Sequence, residues 1–197
     1  MQATNMEANA QPAYLKYGLD FRNLIWVGAA ILTTIIVIFI ENEWALRAIH
    51  VIASALWTGI DIFVGFVIGP ILRRLDPATR RSVMLRLTPK TIFIMPTLAI
   101  VSPMAGWFLA VQTGYLEMSF PEIWWLIAAL CITTAMAIQG LFLILTANFR
   151  TFRELSKEQP DPEKVAKITK RFFYNIAAQG VFQISIILIM VRFSVGL

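Results

Sequence analysis

Five stretches of this sequence run with almost no charge for long enough to cross a lipid bilayer. They are Asn23–Ile40, Ala48–Leu72 (with one His and one Asp inside), Thr91–Leu116, Ile123–Phe149 and Phe172–Val191. A helix rises ~1.5 Å per residue, so each run crosses a hydrocarbon layer of ~30 Å with little or moderate tilt. A water-soluble core has no use for five such runs. Composition agrees: the chain is 58% hydrophobic and 15% charged, with a mean hydropathy of +0.69. Soluble domains lie nearer half apolar and a quarter charged. The expected fold is an all-α integral membrane protein, a single domain over 1–197 with about five transmembrane helices near 23–40, 45–72, 91–114, 123–149 and 172–193.

The first twenty residues are polar and mixed in charge, and the first run ends on Glu41 and Glu43 rather than a small-residue cleavage site. It reads as a retained span and not as a signal peptide. The one cysteine, Cys131, lies inside an apolar run, so no disulfide within the chain and no cysteine-based zinc site is expected.

Charge sets the expected orientation. Segment 73–90 carries Arg73, Arg74, Arg80, Arg81, Arg86 and Lys90 against Asp76, and segment 150–171 carries Arg150, Arg153, Lys157, Lys164, Lys167, Lys170 and Arg171 against four acids. The alternate connections hold Glu41 and Glu43, then Glu117 and Glu122. Basic segments stay cytoplasmic, which places the N-terminus inside with Lys16 and Arg22 and the C-terminus outside. Trp44, Trp107, Trp124 and Trp125 then fall near the outer boundary. The net charge of +5 belongs to these membrane-flanking segments and is no sign of nucleic-acid binding.

Local signals add detail. Gln159-Pro160-Asp161-Pro162 divides the last basic segment into an extension of the fourth span and a lead-in to the fifth. Pro96 and Pro103 are expected to bend or open the third span. Gly65 and Gly69, four apart, let another helix approach the second span closely.

The second span carries the chemistry. Arg47, Ser54, Trp57, Asp61 and Gly65 stand at offsets of −3, +4, +7, +11 and +15 from His50. At roughly 100° per residue they share one helix face. A face so polar is costly against lipid and must meet protein, a cofactor or water. His50, the one histidine, lies six residues past Trp44, hence roughly 9 Å below the outer boundary. A neutral imidazole there has one nitrogen for a metal and one to donate a hydrogen bond. Haem asks for such a ligand, an apolar slot and cations near its propionates. Arg47, one turn closer to the surface, is placed for a propionate, and Arg192 at the outer end of the fifth span for a second clamp. The alternative is a histidine bonded to a neighbouring helix for packing, and spacing leaves both open. Trp57 reads as a cofactor wall or as core filling. Asp61 reads as a proton relay, or as a protonated carboxyl bonded to Ser102, Gln139 or Gln183. Met104, Cys131 and Met190 match His50 in depth as second axial ligands; two histidine ligands would require two chains.

Leu46-Arg47-Ala48-Ile49-His50-Val51-Ile52-Ala53-Ser54-Ala55-Leu56-Trp57-Thr58-Gly59 resembles the L-R-x-x-H-x-x-(A/G)-x-x-x-W-x-G signature of a superfamily of small membrane proteins. It includes CopD-type copper-resistance membrane proteins, HemJ-type protoporphyrinogen oxidases and the membrane domain of PuuD-type urate oxidases. The stretch Phe63 to Gly69-Pro70 is similar to a motif of several small members. The resemblance covers about thirty residues and implies that His50 is an axial ligand to haem b. The expected function is a cell-membrane haem b protein, in electron transfer or redox or gas sensing, with a possible haem-dependent oxidoreductase activity. Its expected partners are the bilayer, further copies or a membrane complex, and a redox protein on the outer side. The alternatives are an accessory or oligomeric scaffold subunit, for which the polar face and glycine pair form a helix seam, and a transporter or channel lined by Asp61.

Overall fold

A computed structural model describes residues 18–196; Lys16, used above for orientation, lies outside them. Five long helices, all apolar enough to cross a membrane, make up the bundle: α1 (Asn23–Ile40), α2 (Glu43–Arg74), α3 (Pro77–Gln112), α4 (Ile123–Leu155) and α5 (Pro162–Ser194). The chain is an all-α, multi-pass membrane protein. No strand occurs among the described residues.

The helix starts are written in the sequence. Asn42 accepts from the Ala45 amide ahead of α2 at 2.9 Å. Asp76 accepts from the Ala78 and Thr79 amides at 3.0 Å, and Asp161 from those of Glu163 and Lys164. Each side-chain oxygen satisfies amides that a first helical turn leaves unpaired. Pro77 and Pro162 follow as first helical residues, where a missing N–H costs nothing. The Thr79 side chain first, then the Thr79 and Ala78 amides, holds the Asp76 carboxyl below the usual carboxylate range.

Helices outrun the apolar runs at the basic end. α3 begins at Pro77 rather than near Thr91, and α5 at Pro162 rather than near Phe172. Most of the arginines and lysines of those segments therefore sit on helical overhangs. Pro89, Pro96 and Pro103 all lie inside α3, which stays helical from end to end. Single π turns occur at Val64–Ile68 in α2 and Gln139–Ile144 in α4.

α3 packs against α1, α2 and α4, while α5 packs against α2 and α4. Helix α1 is peripheral and buries only Thr34. Gly65 and Gly69 serve the α2–α5 contact. A Cβ on Gly65 would stand 2.9 Å from Ile176 Cγ2, and one on Gly69 2.3 Å from Phe173 Cε1. The glycine pair is thus used within the chain. The sequence pattern shows the close approach without showing which helix makes it. Gly69→Ala should lower thermal stability in detergent by about 1–3 kcal/mol through overpacking, and Phe173→Leu in the same chain should recover part of that loss.

Candidate functional site

The polar face of α2 meets two different helices. On the acidic side, His50 turns toward α3: Nδ1 lies 2.9 Å from the Ser102 carbonyl. A carbonyl oxygen only accepts, so Nδ1 carries the hydrogen and a neutral ring leaves Nε2 bare. Nε2 has no hydrogen-bond partner among the described residues. The ring rests on Gly106, where a Cβ would come within 2.6 Å of Cε1 and 2.8 Å of Nδ1. Any side chain at 106 would displace the imidazole. One turn below, the hydroxyls of Ser54 and Ser102 bond at 2.7 Å. Ser102 thus holds two residues of α2, one through its carbonyl and one through its side chain.

Deeper in the bundle α2 faces α5. Asp61 is 3% exposed, and its Oδ2 accepts from Gln179 Nε2 at 2.8 Å and Gln183 Nε2 at 2.7 Å. Such convergence gives the buried carboxyl group the hydrogen-bond partners that hydrocarbon lacks. Trp57 stands one turn earlier on the same face of α2, buried in the core. Both glutamines are fully buried, and their amide oxygens have no partner among the described residues. The Gln139 amide donates to the Asn175 carbonyl, and its oxygen is likewise unpaired. The π turn of α2 begins three residues after Asp61 and that of α4 at Gln139 itself. π turns of this kind recur at functional sites. Toward the basic end, a cavity of about 40 Å³ is lined by Asp61, Thr88, Thr91 and Asn148 among apolar residues. That is room for a single water.

The expected site residues thus separate into two groups. His50 and Ser54 share Ser102. Asp61 is held by the α5 glutamines, and the neighbouring Trp57 indole packs against Ala99 and Met136 as core. Arg47 pairs with Glu43 at 2.6 Å, both about half exposed, at the acidic end of α2. Arg192 donates to the Gly196 carbonyl at the end of its own helix, also at the acidic end. Of the suggested second ligands, Cys131 is exposed, and Met104 and Met190 are half-buried. Of the three partners suggested for Asp61, only Gln183 makes the bond; Ser102 and Gln139 are engaged elsewhere. Gln179 and Gly106 went unread. The one was a second amide a turn before Gln183, the other an ordinary small residue in an apolar run.

No group of three or more His, Cys, Asp or Glu side chains that could hold a metal ion occurs among the described residues. A metal at His50 would need a carrier that brings most of its own ligands. Comparison with protein-family models, with curated proteins and with solved structures finds no match.

Gln183→Leu should cost about 1–3 kcal/mol, since it removes a donor from a buried carboxylate. The same change in an Asp61→Asn background should cost less. An interaction energy of at least about 0.5 kcal/mol in the double-mutant cycle, read by chemical unfolding in micelles, is the expected result.

Proposed function

We propose that the chain is a b-type haem protein of the cell membrane that transfers electrons, with His50 as the axial ligand. The observation that carries this reading is the bond from Nδ1 to the Ser102 carbonyl. Ligating histidines keep such a bond at the far nitrogen, because it fixes the tautomer and aims the near one. Gly106 adds a flat seat for the ring. The donor set fits a porphyrin, which asks the protein for one neutral imidazole and supplies the remaining equatorial ligands itself. Arg47, one turn nearer the surface, would bind a propionate, and releasing Glu43 from an exposed ion pair would cost little. Arg192 would be the second clamp.

When bound, haem supplies one-electron redox chemistry. The chain's own task is to orient His50, to neutralise the propionates and to keep water from the ring. Neither the small cavity beside Asp61 nor a larger one at the basic end is lined by His50. The haem would therefore meet a face of the bundle, and a second copy of the chain is the partner that would bring a second histidine. Positive-inside charge bias supports an electron donor or acceptor on the outer side. The glycine pair, on which the scaffold alternative leaned, packs against Ile176 and Phe173 of the same chain.

An ion- or proton-handling role is the second reading, favoured by Asp61. The carboxylate accepts N–H groups when ionised, and rotation of either glutamine amide offers an oxygen to the protonated form. Proton uptake by proteoliposomes after a pH jump should be lost in Asp61→Asn, and equal uptake by both proteins would remove this reading.

For the haem reading, the absorption spectrum of the purified protein, oxidised and dithionite-reduced, should show a Soret band and b-type α and β bands. His50→Ala should lose them while still inserting in the membrane, and Gly106→Val should weaken them by pushing the ring aside. A protein that stays colourless after haem supplementation overturns the proposal.

A further inference from the structure

A large cavity lies away from His50. It measures about 1050 Å³ and opens between the basic ends of α2, α3 and α5. Its deep wall is apolar: Phe66 and Pro70 of α2, Met84 of α3, and Phe173 and Ile176 of α5. Its rim holds Arg73, Arg80, Arg81 and Lys170, and no acidic residue lines it. From Gly65 to Arg73 along α2 the cavity extends over ~12 Å of helix rise.

The cations at the rim differ in what they are free to do. Arg81 donates to the Leu155 carbonyl at 2.9 Å and to the Lys157 carbonyl, so it fixes the wall between α3 and α4. Arg73 stacks its guanidinium over the Phe173 ring at 5.5 Å, pre-aimed across the opening. Arg80 makes one long bond, 3.5 Å, to the Leu75 carbonyl. Acids near this end are engaged elsewhere: Glu154 pairs with Lys157 at 2.9 Å and Lys164 at 3.1 Å, and Asp76 and Asp161 accept from the first-turn amides of α3 and α5. Thr169 also lines the cavity, and its hydroxyl oxygen is buried with no partner among the described residues.

A volume this large with apolar walls is not a water site; one water occupies about 30 Å³ and needs polar partners. A free phosphate would use the rim and leave the walls bare. An amphiphile with an anionic head uses both.

We infer that this cavity is a binding site for an anionic phospholipid of the leaflet that faces the basic end, with its phosphate between Arg73, Arg80 and Lys170 and an acyl chain along Phe66, Met84 and Phe173. Basic pockets between transmembrane helices hold anionic headgroups in this way. The site is independent of His50 and of any cofactor.

The test is native mass spectrometry of the full chain released from micelles, with phosphatidylglycerol or phosphatidylcholine added, alongside thermal melting. Phosphatidylglycerol should be retained in preference by roughly tenfold or more, as several basic side chains at one membrane surface warrant. It should also raise the melting temperature, and inorganic phosphate alone should not. Arg73→Gln with Lys170→Gln should abolish the preference. Ala166→Phe, which keeps every charge but fills the groove from α5, should lose the lipid too. Equal retention of the two lipids, a preference undiminished in either variant, or full protection by phosphate alone overturns the inference.

Discussion

A helix that carries His50, Ser54, Trp57 and Asp61 on one face cannot leave that face to hydrocarbon, and the bundle is arranged around this constraint. In lipid an unpaired polar group finds no water to replace its partner. Each of these side chains must therefore be met by a specific group on another helix. Ser102 of α3 meets the two upper residues and the glutamines of α5 meet the lowest. Apolar helices in a bilayer gain little from simple burial, because lipid is as apolar as their own side chains. Polar pairs and close glycine contacts then decide which helix stands beside which. α2 is held by α3 on one side through His50 and Ser54, and by α5 on the other through Asp61 and the glycine pair. α1, which offers a single buried residue, is left at the margin.

This explains how far the sequence could be read. Span number and helical class rest on uncharged length, a property of the solvent, and both follow from composition alone. The polar face of α2 was legible for the same reason: periodicity shows which residues share a face. What periodicity does not carry is the identity of the facing helix. Gln179 and Gln183 sit on α5 a turn apart, but nothing in their spacing points to Asp61 rather than Asn175 or a serine. Gly106 is invisible until the imidazole is placed on it. The π turns have no marker either, since neither Val64 nor Gln139 breaks a helix by its own propensity. Charge ends a hydrophobic run, so run length alone places the starts of α3 and α5 too late; arginine and lysine are good helix formers, and both helices run through the basic segments to Pro77 and Pro162.

The two ends of the bundle differ in kind. At the acidic end the exposed tryptophans Trp44, Trp124 and Trp125 surround short connections, an arrangement suited to an interface with water and headgroups. At the basic end the helices extend past the apolar runs, and the large cavity lies between them. Arg81, bonded to the carbonyls that end α4, braces that opening. The same overhangs that carry the positive charge also line that space.

The two polar centres of α2 stand eleven residues apart, about 16 Å along the helix. That separation exceeds the distance over which substitutions usually interact. Trp57 lies between them with its ring in the core. The upper centre depends on the backbone of α3 at Ser102 and on the absence of a side chain at Gly106. The lower depends on two amides from α5. Because the supports come from different helices, loss of one centre leaves the other's geometry in place. A cofactor at His50 and a charge at Asp61 can therefore be judged separately, and a bundle that proved to hold only one of them would keep the same fold.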